Sequence, residues 1–123
     1  MSQLSAEKRA EYQAGAARRK VMAEERRQAH LARAQNVAVA AADLLYTAYG
    51  ATKVVLFGST AHPRRFHERS DVDLAAWGIG ERAYVRAVAD LNGLDSHIFV
   101  DLVRGEEAPP TLLERIKQEG LSL

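Results

Sequence analysis

Hydrophobic and polar positions change rhythm three times along this chain. From about Ser5 to Tyr49 there is no proline and one glycine, and Ala, Glu, Arg, Lys and Gln dominate; these are strong helix formers. Ser5 suits the start as a cap and Gly50 the end as a stop. The pattern predicts one long helix, with Gly15 as the place where an interruption is expected. In its second half Val37, Ala41, Leu44, Leu45 and Ala48 recur at intervals of three and four, an apolar stripe that should pack on a sheet. The first half carries only Leu4, Tyr12, Val21, Met22 and Leu31 as larger apolar residues, too few for burial by its own domain. It reads either as a solvated helix held by pairs between Glu24 or Glu25 and nearby arginines, or as an arm that meets a partner or a second copy. An isolated helix gains little from propensity alone, which favours contact. The heptad pattern is too weak for a coiled coil.

Beyond Gly50 the rhythm shortens. Lys53–Phe57 reads as a strand, Gly58–Arg69 as a polar, basic loop, and Ser70–Trp77 as a second strand. After Gly78-Ile79-Gly80 the spacing of Ala83, Tyr84, Ala87, Val88 and Leu91 predicts a helix over Glu81–Leu91, ended by Asn92-Gly93. His97–Val103 alternates as a third strand, Arg104–Ala108 is a charged loop, and Pro109-Pro110 opens a last helix over Thr111–Glu119. Gly120 stops it, and Leu121–Leu123 is suited to a short extended segment. The expected class is α/β (α+β), a small mixed sheet flanked by helices, with a long N-terminal helix.

Composition narrows the chemistry. At 123 residues the chain is one domain, and without cysteine it has neither disulfides nor thiolate metal sites. His30, His62, His67 and His97 are scattered, which argues against zinc. No apolar run approaches the roughly 20 residues of a membrane span, and the N-terminus lacks a signal-peptide core, so a cytoplasmic location is expected. Residues 1–50 hold eight Lys/Arg against five Asp/Glu, and residues 51–123 nine against eleven. This imbalance is too small to argue for a nucleic-acid-binding tail. Arg64, Arg65 and Arg69, however, are gathered in one loop.

That loop lies between Gly58-Ser59 and Asp71-Val72-Asp73-Leu74. A Gly-Ser turn after a buried strand lets the backbone approach a ligand and offers N–H groups to phosphate, although ordinary turns use the same residues. Residues two apart on a strand share a face, so Asp71 and Asp73 project together while Val72 and Leu74 enter the core. Paired acids repel, and hard oxygen donors at this spacing suit Mg²⁺. Asp101 stands between Phe99-Val100 and Leu102-Val103; a mid-strand carboxylate in apolar surroundings is costly unless paired or metal-bound. If its strand neighbours that of Asp73, the three acids are expected to converge; otherwise Asp101 pairs with an arginine.

Gly58-Ser59, the intervening residues 60 to 70, Asp71-Val72-Asp73-Leu74 and the later Phe99-Val100-Asp101-Leu102-Val103 together resemble the minimal nucleotidyltransferases of the polymerase-β-like superfamily. The resemblance covers about Lys53 to Val103, and the closing LLERIKQEGLSL is similar to that family's C-terminal helix. It implies a nucleotidyltransferase core over residues 51–123; residues 1–50, whose long helix matches only a subset of that family, are expected from their pattern to be a helix half packed on the core and half a partner or oligomer arm. It implies that Asp71, Asp73 and Asp101 hold two Mg²⁺ ions with a nucleoside triphosphate, ATP as substrate, and that Asp101 is also the general base. Gly58 and Ser59 would cradle the β- and γ-phosphates. Many relatives follow the Gly-Ser turn with a small residue and Arg-Gly; here Thr60-Ala61 lead to His62-Pro63, so either Arg64 or Arg65 takes that arginine's place or the grip on the triphosphate is weaker.

The resemblance further implies transfer of AMP from ATP to a hydroxyl on a partner protein, a small helical toxin of HEPN type that this chain would restrain as antitoxin. A second reading is a non-catalytic antitoxin acting by contact through the N-terminal helix. A third is nucleotidyl transfer to a small molecule, for which the short chain offers little pocket surface.

Overall fold

The computed structural model describes the backbone of residues 2–123 and the side chains of residues 5–123. Helix α1 (Ser2–Ala48) passes through Gly15 without a break. One glycine costs only about 1 kcal/mol in a helix interior, too little to break so long a run of good formers. The helix ends at Ala48, Gly50 with its φ of 71° turns the chain back, and the Ala51 N–H reaches the Leu45 carbonyl at 3.0 Å. Then follow β1 (Lys53–Phe57), short 3-10 turns at Ser59–Ala61 and Pro63–Arg65, β2 (Val72–Trp77) and α2 (Glu81–Asn92). The chain closes with β3 (Val100–Arg104), α3 (Pro110–Glu119) and the two-residue β4 (Leu121–Ser122). No described helix is long and apolar enough to cross a membrane.

The strands form one mixed sheet in the order β3-β2-β1-β4, with β2 parallel to β3 and antiparallel to β1. The architecture is therefore the α+β class expected. Strand periodicity divides its side chains cleanly. Val54, Leu56, Val72, Leu74, Ala76, Val100 and Leu102 share a core cluster with Ala34, Val37, Ala38, Ala41, Ala42 and Leu45 of α1 and with Ala87 and Leu91 of α2. Val55, Phe57 and Ala75 face the other way and pack with Ile116 of α3, flanked by Trp77, Val103 and Leu112. The α1 stripe is displaced from the expected one: Val37, Ala41 and Leu45 are buried, but Ala48 is exposed and the stripe reaches back to Ala34 instead. Among the described residues of α1 before Ala34, none is buried.

Three strand limits differ from expectation. Ser70 and Asp71 lie before β2, because the ladder opens where the Val72 N–H meets the Phe99 carbonyl at 3.0 Å. His97–Phe99 is not strand, and Arg104, expected in a loop, ends β3. The Asp95 carboxylate accepts the His97 N–H at 2.8 Å, holding that segment in a turn. Asn92 then clasps Val100 from the side, accepting its N–H and donating to its carbonyl, each at 2.9 Å.

Candidate functional site

Three lengths of chain meet at the end of the sheet where β1 finishes and β2 begins. Phe57 pairs with Asp73 across the antiparallel ladder, and Asp73 pairs with Asp101 across the parallel one. Asp73 and Asp101 thus stand side by side on the α3 face of the sheet, and Asp71 enters from the segment just before β2. Next to Phe57, Gly58 adopts φ 73° and ψ −161°, and a Cβ there would collide with Asp73 Oδ2. Only glycine permits both this backbone conformation and this approach. The 3-10 turn Ser59–Ala61 begins immediately after, and the first N–H groups of such a turn have no partner within it.

Asp73 is half-buried, whereas Asp71 and Asp101 are exposed. Burial, and then the carboxylates of Asp101 and Asp71, push the Asp73 carboxyl up to about 6, while Arg115 opposes the rise. The position is therefore one where negative charge is crowded and a cation would relieve it. The exposure of Asp101 corrects the expectation that it sits in an apolar setting: β3 is a sheet edge, and its residue 101 faces water rather than core. Among the described residues no group of three His, Cys, Asp or Glu side chains is already gathered as a metal site. The donor set is nonetheless all hard oxygen, with Asp73 and Asp101 on neighbouring positions of one sheet and Asp71 just ahead of it, which fits Mg²⁺ with its preference for a few carboxylates plus water and phosphate.

The expected nucleotide-binding arginines lie in the loop that follows the Gly58-Ser59 turn. Arg64 and Arg65 are exposed on the Pro63–Arg65 turn, where with His62 and Pro63 they line a hollow of about 470 Å³. Arg65 pairs with Glu119 at 3.4 Å, and the His62 ring meets the Glu119 carbonyl at 3.0 Å, so the loop is tied to the end of α3. Arg64 forms no ion pair among the described residues. A larger hollow, about 800 Å³, opens between α1 and His67-Glu68, but none of the three aspartates lines it.

Sequence reasoning missed three residues here. Arg115 reaches the field of Asp73 from α3; it precedes the buried Ile116, and that flanking position was the available signal. Thr60 is buried and donates its hydroxyl to the Asp71 carbonyl at 2.7 Å. His30 contacts the Ser70 carbonyl at 3.0 Å across a separation of 40 residues, which local pattern cannot reveal.

No family model matches the chain, and neither does any curated protein. Solved structures do. A chain in the complex of tri-AMPylated Shewanella oneidensis HEPN toxin with MNT antitoxin superimposes with TM-score 0.55 at 21% identity, over 72% of this chain and 69% of that chain. A toxin–antitoxin structure with AMP-PNP gives TM-score 0.57 at 22% identity, over 71% and 69% respectively. The toxin–antitoxin MntA–HepT gives 0.53 at 21%, over 72% and 69%. At these identities the likeness establishes the fold: the chain has the α+β architecture of the MNT neighbours, with a long N-terminal helix.

Proposed function

We propose that this chain is a Mg²⁺-dependent nucleotidyltransferase that moves AMP from ATP to a hydroxyl on a partner protein, in the role of an antitoxin. The observation that carries the reading is the register of Asp73 beside Asp101, with Gly58 pressed against Asp73 at the head of the Ser59–Ala61 turn. The fold shared with an MNT antitoxin in complex with an AMPylated HEPN toxin, and with a toxin–antitoxin structure containing AMP-PNP, supports it.

Asp71, Asp73 and Asp101 would hold the ions, which when bound neutralise the triphosphate and polarise the α-phosphorus. Main-chain N–H groups after Gly58 and the Ser59 hydroxyl would bind the β- and γ-phosphates. Arg64 and Arg65 lie in the loop beside them, and Arg115 brings a further positive charge from α3. Asp101, exposed on the edge strand, is open to an incoming hydroxyl and would take its proton. The hydroxyl oxygen then bonds to the α-phosphorus, the α–β phosphoanhydride bond breaks, and pyrophosphate leaves. Alignment and charge neutralisation supply most of the acceleration.

A second reading, restraint of the partner by contact alone, draws on the uncovered first half of α1, where Tyr12, Val21 and Met22 are more than half exposed. Intact-mass analysis separates the two. The co-purifying partner is incubated with ATP, Mg²⁺ and either wild type or Asp73→Asn. Addition of one or more AMP masses with wild type, reduced by on the order of 10³-fold in rate with the variant, is expected from loss of several kcal/mol of charge stabilisation. Modification at equal rates by both proteins refutes the proposal; tight binding without modification by either favours contact.

A further inference from the structure

We infer that His30 of α1 is a positioning residue for Asp71, fixing the main chain just ahead of that carboxylate and thereby the uptake of a divalent cation with nucleotide. The inference rests on the reading of Asp71 as a metal ligand.

Asp71 lies outside the sheet ladder, and its exposed side chain takes its direction from the backbone that carries it. Three successive residues of that backbone are each held by a different element. The Ser70 carbonyl meets His30 Nε2 at 3.0 Å, the Asp71 carbonyl accepts the Thr60 hydroxyl at 2.7 Å, and the Val72 N–H donates to the Phe99 carbonyl at 3.0 Å. A carbonyl oxygen only accepts, so His30 must donate from Nε2, a bond that both the neutral and the protonated ring can make. The donor is aimed by packing: the His30 ring lies 5.3 Å from that of Phe66, which is buried. Ser70 is itself buried, and its hydroxyl oxygen accepts the His67 N–H at 2.9 Å, so this carbonyl has little freedom to find water if His30 is lost. Neighbouring ties from α1, Arg27 to the Pro63 carbonyl at 3.0 Å and Arg26 to Glu68 at 3.1 Å, are exposed and contribute less.

A plain structural role for His30 would be to fill space against Phe66, and two substitutions distinguish this from a donor role. His30→Phe keeps a ring beside Phe66 and removes the donor. His30→Gln removes the ring and keeps an N–H at similar reach. The full chain is titrated with Mn²⁺ in the presence of a non-hydrolysable ATP analogue, free Mn²⁺ being read by electron paramagnetic resonance and Tm followed in parallel. Loss of a group that orients a metal ligand typically weakens metal binding about 10-fold or more. His30→Phe should show that weakening, and His30→Gln should stay within about threefold of wild type. Wild-type affinity in His30→Phe, or equal weakening in both variants, overturns the inference. If His30→Phe does not fold, His30→Asn, whose amide stops short of the Ser70 carbonyl, takes its place in the same comparison. An Asp71→Asn control identifies the other kind of failure: wild type binding Mn²⁺ and analogue no better than this control removes the metal-site reading itself, and the inference with it.

Discussion

The two faces of the sheet are made by the same strands and differ in what covers them. On one face α1 and α2 seal Leu74 and its neighbours completely. On the other, α3 packs over Val55, Phe57 and Ala75 through Ile116 and leaves the end that bears Asp73 and Asp101 uncovered. Residues 73 and 74 are adjacent in sequence, yet one stands in the carboxylate cluster and the other in the core. A strand's two-residue period lets a small domain place a charge cluster directly against its hydrophobic centre, so that the core's rigidity orients the charges.

Breaking the sealed face should have the largest effect on stability. Leu74→Ala removes a fully buried side chain and is expected to cost about 2–5 kcal/mol in denaturant unfolding. At the open face, Gly58→Ala forces a side chain into a backbone region that favours glycine and into Asp73, costing roughly 1–3 kcal/mol and displacing the carboxylate. A loss below about 0.5 kcal/mol would show that the turn relaxes freely.

Asp73→Asn should do the opposite and stabilise the metal-free protein. The fold raises this carboxyl from 3.8 to about 6, so the folded chain holds its proton more tightly than the unfolded one. Stability from this group is present below pH 4 and is lost as pH rises through 6. Each pKa unit corresponds to about 1.4 kcal/mol; discounted for partial exposure, the variant should gain about 1–2 kcal/mol at pH 8 and nothing at pH 3.5. Thermal unfolding at the two pH values checks the sign, and a variant less stable at pH 8 would contradict it. The smallest change is expected at Arg26→Ala, whose exposed pairing with Glu68 is worth about 0.5 kcal/mol and should fade with added salt.

Much of this contrast was legible in the chain. Alternation around Asp71-Val72-Asp73-Leu74 separated carboxylates from core residues, and the glycine after Phe57 marked the turn beside them. The limits of β3 were not legible, because Asn92 and Asp95 capture main-chain groups that alternation alone assigns to the strand. The exposure of Asp101 was misjudged for a related reason: apolar neighbours in sequence reveal a strand but not its place at a sheet edge. His30 and Thr60 act on main-chain carbonyls brought near only by folding. Such contacts leave no periodic trace.

The unbroken passage of α1 through Gly15 has a mechanical consequence. From Ser5 to Arg26 the helix extends roughly 30 Å beyond the segment that touches the loop, at about 1.5 Å per residue. Its first ties to the loop include Arg26 on Glu68 and His30 on the Ser70 carbonyl. A load applied near Tyr12 would therefore be borne first at these ties, one of which holds the Ser70 carbonyl.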